Sequence, residues 1–148
     1  MEDKYASLKL ENQLCFPLYV ASKEVIRQYR PFLDEIDLTY TQYITMMILW
    51  EEEEISVSAL GKRLFLDSGT LSPLIRKLRD KEYITLHRSE QDERVQLLQL
   101  TQKGSDLKEK ALFVPQRMTE CISLKEEEVQ ILYKMLYSLI NVIHERDK

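Results

Sequence analysis

The stretch from Ile55 to Ile84 constrains the fold most, because it contains two short helix signals with almost no chain between them. The candidate caps are Ser56 or Ser58 for a first helix that ends near Phe65, and Asp67, Ser68 or Thr70 for a second that continues to about Lys81. Two such helices predict a helix-turn-helix. The runs YITLHR and RVQLLQL then predict strands around the polar tip SEQDE. A helix-turn-helix followed by a hairpin is a winged helix.

Helices are predicted on both sides of this segment, since three glycines and four prolines leave room for few loops. The predicted elements are a helix over about 12–30 that ends before Pro31, a helix from Thr39 or Thr41 to Trp50, a solvated connection over 51–54, a helix over 102–121 kinked at Pro115, and a last helix started by a Ser123–Glu126 capping box. The predicted fold class is therefore mainly α with a β-hairpin wing (α+β).

Composition excludes several classes of protein. The chain has 148 residues, of which 44% are hydrophobic and 31% charged, and no apolar run approaches the roughly 20 residues of a membrane span. The start, MEDKYASLKL, lacks the hydrophobic core of a signal peptide, so we expect a cytoplasmic protein without membrane contact. Two distant cysteines do not make a secreted disulfide scaffold. His87 and His144 offer no metal-ligand spacing, and we expect no metal or other cofactor.

Positive charge is concentrated in the predicted winged helix. Residues 61–103 contain nine Lys/Arg and six Asp/Glu, a net charge of +3, whereas the whole chain carries -4 and the remainder therefore -7. A basic segment in an acidic body is typical of nucleic-acid binding. The second helix would enter the major groove by its N-terminal end. Arg94 would enter the minor groove, with Asp92 orienting its guanidinium.

The candidate DNA-binding residues are Asp67, Ser68, Thr70, Ser72, Arg76, Lys77, Arg88, Asp92 and Arg94. The alternative is a solvated basic helix beside an ordinary hairpin.

Cys15 shares a helix face with two tyrosines. At about 100° per residue, Tyr19 and Tyr29 each lie about 40° from Cys15, on opposite sides. Tyr29 is nevertheless roughly 21 Å away along a continuous helix. Its phenol could meet a Cys15 only on a second, antiparallel chain, as in a two-fold dimer. Because the thiolate rather than the thiol is the nucleophile, phenol donors would activate this cysteine. The alternative is that Cys15 and the tyrosines are core residues.

Three stretches, LDSGTLSPLIRKL, RSEQDER and LTQKG, resemble the MarR family of winged-helix repressors. The triplet Asp92, Glu93 and Arg94 matches that family's wing signature. With KLENQLCFPLY, the likeness narrows to the organic hydroperoxide resistance regulators (OhrR), and it extends from about Lys9 to Lys110. Pro17 departs from the pattern, since a longer aliphatic residue is usual there.

The resemblance implies a homodimeric repressor that binds double-stranded DNA at a pseudo-palindromic operator. It implies that an organic hydroperoxide or another oxidant oxidises Cys15, after which the protein releases its operator. By resemblance, Tyr29 and Tyr40 of the partner subunit approach Cys15. The single domain 1–148 would divide into a winged helix-turn-helix DNA-binding region, 36–101, and a helical dimerisation region, 1–35 with 102–148.

Cys121 ends an apolar stripe, which is typical of a core residue. The OhrR proteins form two classes, one with the N-terminal cysteine alone and one with an additional resolving cysteine. The separation of Cys15 and Cys121 fits the second class, and we favour a resolving role. In the first class, a low-molecular-weight thiol takes that part.

Two other functions remain open, although we expect no enzyme. A thiol peroxidase would need a reactive cysteine but no basic helix-turn-helix. A ligand-responsive MarR-type repressor would bind a small aromatic molecule and leave Cys15 inert.

Overall fold

The computed structural model describes residues 4–146. The helices are α1 (Cys15–Asp34), α2 (Tyr40–Glu52), α3 (Val57–Leu64), α4 (Ser68–Asp80), α5 (Gln102–Ala111), α6 (Phe113–Cys121) and α7 (Glu126–Arg146), and the strands are β1 (Glu54–Ser56), β2 (Ile84–Arg88) and β3 (Gln96–Leu100). Two 3-10 turns, Ala6–Leu8 and Leu10–Asn12, precede α1. The predicted fold class is confirmed. The ends of the predicted dimerisation region, 1–3 and 147–148, lie outside the described residues.

The helix-turn-helix consists of α3 and α4, and a side chain caps the start of each. Ser56 Oγ accepts a hydrogen bond from the Ala59 N–H at 3.1 Å. Asp67 Oδ1 accepts one from the Thr70 N–H at 2.9 Å. Between the helices the chain turns at Phe65, whose φ of 54° lies in the left-handed region. The predicted motif is confirmed, with Ser56 and Asp67 as the caps.

Three antiparallel strands form the wing sheet in the order β1–β3–β2. The predicted β2–β3 hairpin is confirmed. The run 51–54 is exposed, as predicted, but it is not a connection, because α2 extends to Glu52 and Glu54 begins β1, opposite Gln99. A strand this short has a single buried position, Ile55, so no alternation of apolar and polar residues marks it in the sequence.

Two prolines act differently from their sequence-based expectation. Pro31 lies inside α1, which continues to Asp34 because buried Leu33 anchors the last turn to the core. The helix loses one hydrogen bond there, to the carbonyl of Arg27. The predicted kink at Pro115 is instead a break at Leu112, between α5 and α6. Pro115 has no N–H to donate to the carbonyl four residues earlier, so the series of helix hydrogen bonds is interrupted before the proline itself.

The start of α7 also differs from the prediction. The Glu128 carboxylate accepts a hydrogen bond from the Lys125 N–H at 2.8 Å, and the helix begins at Glu126. The Ser123–Glu126 capping box is therefore wrong, because both of its positions lie two residues too early.

In the single chain α7 buries none of its residues between Glu126 and Arg146. Its exposed large hydrophobic residues are Val129, Ile131, Leu132, Tyr133, Met135, Tyr137, Leu139, Val142 and Ile143. At its C-terminal end, the ring of His144 lies 4.7 Å from that of Phe65. On α1 and the turns before it, Leu8, Leu10, Leu14, Phe16 and Tyr19 are also exposed. Exposed apolar residues in this number are typical of an interface.

One cluster of buried side chains, drawn from α1 to α6 and the sheet, forms the core. Within residues 4–146 no residue of α7 belongs to it. Tyr29, Phe32, Tyr40 and Trp50 pack at its edge, and the contact between Tyr29 and Tyr40 joins α1 to α2. None of the described helices is both long and apolar enough to pass through a membrane.

Candidate functional site

The N-terminal half of α4 presents its small polar residues to solvent. Ser68, Thr70 and Ser72 are exposed, whereas Leu71 on the opposite face is buried. The Thr70 hydroxyl donates to Asp67 Oδ2 at 3.1 Å, and the Ser72 hydroxyl donates to the Ser68 carbonyl at 2.9 Å. Both hydroxyl oxygens keep free acceptor positions.

Asp67 is engaged as the cap of α4. Hydrogen bonds from the backbone N–H and then the hydroxyl of Thr70 hold the pKa of its carboxyl below the usual value. The carboxylate therefore stays ionised and fixes the start of the helix.

Ion pairs divide the nine basic residues of the winged helix into two sets. Four are paired with carboxylates: Arg63 with Glu51 and Glu52, Lys81 with Asp37, Lys103 with Glu82, and Arg94 with Asp92. Within residues 4–146 the structure shows no ion pair for the other five, and three of these, Arg76, Lys77 and Arg79, are exposed on α4. The uncompensated positive charge is therefore concentrated on the face of α4.

The wing arginines are oriented by their neighbours. Arg94 donates through Nε and one terminal nitrogen to the two carboxylate oxygens of Asp92, each at 3.1 Å. This contact, followed by the Arg94 N–H, lowers the pKa of the Asp92 carboxyl. The Arg94 side chain remains 91% exposed, so its guanidinium is held in direction but not covered. Arg88 donates to the Glu93 carbonyl at 3.4 Å.

The fold brings α4 and the wing together around two adjoining surfaces. A groove of about 1090 Å³ is lined by Ser68 of α4 and by Arg88 and Arg94 of the wing. The side chain of His144 on α7 lies at the same groove. A second cleft, of about 380 Å³, is lined by Ser72 and Arg76, among others. Predicted residues that are up to 26 positions apart in sequence thus face one space.

Cys15 is exposed at the first position of α1, where no side chain caps the helix. The alternative that Cys15 is a core residue of its own chain does not fit this exposure. Tyr19, one turn later, is 63% exposed and lies under the ammonium of Lys23 at 5.4 Å. Because α1 is continuous to Asp34, the roughly 21 Å between Cys15 and Tyr29 of one chain holds.

Tyr29 and Tyr40 form a phenol pair, with ring centroids 5.0 Å apart. The structure adds a third ring that the sequence interpretation missed, Tyr43, at 6.0 Å from Tyr29. Burial raises the pKa of all three phenols, and the neighbouring phenols raise the pKa of Tyr29 and Tyr43 further. The cluster therefore holds neutral hydroxyl donors. Tyr43 is one helical turn after Tyr40, a spacing that could have revealed it.

Cys121 is exposed at the end of α6, although Val114 and Met118 before it are buried. Packing in the core of its own chain therefore does not explain it. Among residues 4–146, no three His, Cys, Asp or Glu side chains are arranged to hold a metal ion.

Comparison with known proteins gives the family. The profile of the family described as transcriptional regulator SarA/Rot matches residues 27–111. The chain is similar to the organic hydroperoxide resistance transcriptional regulator of Bacillus subtilis, with 42% identity over 99% of this chain and 100% of that protein. It is also similar to the HTH-type transcriptional regulator SarZ of Staphylococcus saprophyticus, with 42% identity over 95% of this chain and 95% of that protein.

The fold is similar to that of AbfR of Staphylococcus epidermidis. Reduced AbfR bound to DNA matches with a TM-score of 0.76 and 28% identity over 95% of this chain and 99% of that chain. Disulfide-formed AbfR matches with a TM-score of 0.61 over 98% of this chain and 97% of that chain. The chain therefore belongs to the MarR family of winged-helix transcriptional regulators, in the branch that includes the organic hydroperoxide resistance and SarZ regulators.

Proposed function

We propose that this protein is a homodimeric repressor that binds double-stranded DNA when reduced and releases it when an organic hydroperoxide oxidises Cys15. The observation that carries the proposal is an exposed cysteine at the start of a continuous α1, one helix length from a half-buried phenol pair, in a chain similar to the Bacillus subtilis regulator over its whole length. A repressor acts where its operator lies, so we place it in the cytoplasm.

The DNA-binding surface is the face shared by α4 and the wing. Arg76 and Lys77 provide charge that no carboxylate of the described chain neutralises, and they would contact phosphates or base edges. Ser68, Thr70 and Ser72 lead the helix into the major groove. Arg94, held by Asp92, would enter the minor groove, with Arg88 beside it. Asp67 acts through the cap that positions the first turn.

A second copy would cover the exposed apolar residues of α1 and α7. We propose that residues 1–35 and 102–148 form this dimer body, and that 36–101 is the DNA-binding region. An antiparallel α1 would place Tyr29 and Tyr40 of the partner subunit beside Cys15. Their hydroxyls would donate to the thiolate and to the leaving oxygen of the oxidant. Tyr19 would stand beside the sulfur on its own helix.

The redox step requires a peroxide and a thiol. The Cys15 thiolate attacks one peroxide oxygen and the O–O bond breaks. The alkoxide leaves with the bonding pair and takes a proton, so one alcohol and one sulfenic acid form. A thiol then displaces hydroxide from the sulfenic sulfur, giving a disulfide and water. We propose Cys121 of the partner subunit as that thiol, since it is exposed at the end of α6.

AbfR offers a useful comparison, because its structures include a reduced and an overoxidized form, each bound to DNA, and a disulfide form. For our protein we accordingly propose the disulfide, rather than oxidation of the sulfur alone, as the state that releases the operator. Two recognition helices must sit about 34–36 Å apart to bind successive major grooves, so a modest change in the dimer body is sufficient.

The test measures DNA affinity before and after oxidation. A duplex selected from a random-sequence pool by the reduced protein serves as the probe, and Cys15→Ser is the control. We expect treatment with cumene hydroperoxide to weaken wild-type binding and to leave Cys15→Ser binding unchanged. Loss of binding in Cys15→Ser as well would favour a ligand-responsive repressor.

Peroxide stoichiometry separates a sensor from an enzyme. We expect each subunit to consume about one equivalent and then stop until a thiol reductant is added. Rapid, sustained turnover once excess thiol reductant is present, without loss of DNA binding, would favour the thiol peroxidase.

A further inference from the structure

Helix α2 connects the phenol cluster with the joint between the recognition helix and the wing. Tyr43 lies against Tyr29 at one end, and its ring centroid is 6.3 Å from that of Trp50, two turns later on the same helix. Tyr43 is 3% exposed, so neither contact can be replaced by water. The aromatic contacts therefore begin at the phenol cluster and run along α2.

Trp50 continues this path to the start of α5 by a hydrogen bond. Its indole N–H donates to the Gly104 carbonyl at 2.9 Å. Gly104 in turn lies directly on the backbone of Tyr83, since a Cβ at Gly104 would be 2.1 Å from the Tyr83 carbonyl oxygen. The Thr101 N–H donates to that same oxygen at 3.1 Å, and the Thr101 hydroxyl donates to the Glu82 carbonyl at 2.6 Å.

Three residues, Lys81, Glu82 and Tyr83, connect the end of α4 to the start of β2. The turn is tight, because Glu82 has a φ of 60°. Residues 101–104 therefore hold the short joint between α4 and β2, and this joint sets the orientation of α4 relative to the wing. A shift of Gly104 must move this joint, because no space separates the two backbones.

Aromatic rings transmit such a shift well. Each ring has two side-chain torsions and moves as a rigid plate, and a close-packed interior passes displacement on instead of absorbing it. The path from Tyr29 to Tyr83 consists of ring contacts, one hydrogen bond and one backbone contact without a gap.

We infer that Tyr43 and Trp50 are positioning residues that couple the phenol cluster to the joint between α4 and the wing. When the disulfide of Cys15 forms, a displaced Tyr29 moves Tyr43, and Trp50 carries the movement to Gly104 and Tyr83. The angle between α4 and the wing then changes, and the groove between them no longer fits DNA. This inference rests on the function proposed above.

The experiment compares the ratio of oxidised to reduced dissociation constants for the selected duplex. Trp50→Phe keeps the ring that packs on Tyr43 and removes the N–H that binds Gly104. We expect this ratio to fall about five-fold, the effect of one lost hydrogen bond. The rate at which hydroperoxide consumes the Cys15 thiol should stay at the wild-type value, because Trp50 does not contact the sensor.

Variants of Tyr43 test the path at its other step. Tyr43→Leu removes the ring and should lower the ratio at least as much as Trp50→Phe. Tyr43→Phe keeps the ring and should restore the wild-type ratio, which a purely destabilising effect would not do.

Phe32→Leu is the matched control. It removes an aromatic contact of similar size, with Phe113 at 6.5 Å, that connects α1 to α6 instead of α2. It should lower the melting temperature and leave the ratio unchanged.

Two results would overturn the inference while leaving the sensor intact: a wild-type ratio in both Trp50→Phe and Tyr43→Leu, or an equal loss of ratio in Phe32→Leu. A wild-type protein whose DNA affinity does not change on oxidation would refute the proposed function, and the inference would fall with it.

Discussion

Replacing Gly104 by alanine should destabilise the protein, although alanine is ordinarily the better helix former by up to about 1 kcal/mol. The new Cβ would lie 2.1 Å from the Tyr83 carbonyl oxygen, more than 1 Å short of the 3.4 Å at which contact becomes ordinary. It would also lie 2.9 Å from a methyl carbon of Leu100. Relief requires the start of α5 to move away from the end of α4. Overpacking of this kind costs about 1–3 kcal/mol.

The displacement would also strain the two hydrogen bonds made by the Gly104 backbone. Its N–H donates to Thr101 Oγ1 at 3.0 Å, and its carbonyl accepts from Trp50 at 2.9 Å. With each worth about 1 kcal/mol, the total loss in free energy of unfolding is about 2–4 kcal/mol. For a chain of this length that corresponds to a decrease in melting temperature of roughly 4–16 °C.

Urea and thermal unfolding followed by circular dichroism would measure this change, at one fixed protein concentration because a dimer's stability depends on it. Ser105→Ala, at the exposed neighbouring position of α5, is the control and should change stability by less than about 0.5 kcal/mol. A Gly104→Ala protein as stable as wild type would mean that the backbones of α5 and of the α4–β2 joint are not in contact, and the coupling path would lose its last step.

Three further predictions concern the two functional surfaces. Arg94→Ala should weaken binding of the reduced protein to the selected duplex by about 1–3 kcal/mol in fluorescence anisotropy, and an unchanged affinity would remove the wing arginine from the interface. Burial raises the pKa of Tyr29 and Tyr40 above the unfolded value of 10.0, so the stability that they contribute is present below pH 10.0 and is lost as the pH rises through their folded pKa values. Phenolate absorbance should follow this titration. In Tyr40→Phe the pKa of Tyr29 should move back toward 10.0, and an unchanged pKa would show that Tyr40 does not act on Tyr29. Peroxide-treated wild type should run as a covalent dimer on a non-reducing gel and Cys121→Ser should not, while a wild-type protein that stays monomeric and recovers DNA binding with reductant would assign the protein to the one-cysteine class.

The winged helix could be predicted closely because its signals are local. Ser56 and Asp67 are side-chain caps whose hydrogen-bond partners lie three residues away. The hairpin strands can be recognised by their amino-acid composition. The third strand could not be predicted, since Ile55 alone carries its burial and its partner Leu98 lies 43 positions away. The break at Leu112 shows a related limit: a proline marks a lost hydrogen bond, but packing decides at which residue the helix ends.

Individual residues of the candidate site could be predicted from the sequence, but their arrangement in space could not. Helical spacing relates Cys15 to Tyr19 and Tyr29, but Tyr40 entered only through family resemblance, because it lies on a different helix. Tyr43 was not predicted, although it lies one helical turn after Tyr40, because that spacing alone does not show that both rings meet Tyr29. Contacts between helices depend on crossing geometry, and a single sequence does not state that geometry.

The single chain is incomplete in two ways, and one partner resolves both. Its α7 exposes apolar residues along its whole length, and its Cys15 lies a helix length away from the phenols that would activate it. In the proposed dimer, a two-fold partner with an antiparallel α1 would cover such surfaces and would bring each sulfur to the other subunit's phenol cluster. Sensing and assembly would then use the same contacts, and a sulfur–sulfur bond would form only with a rearrangement of the interface that sets the distance between the two α4 helices. In this proposal, an exposed cysteine on α1 would control a groove between α4 and the wing that it does not line.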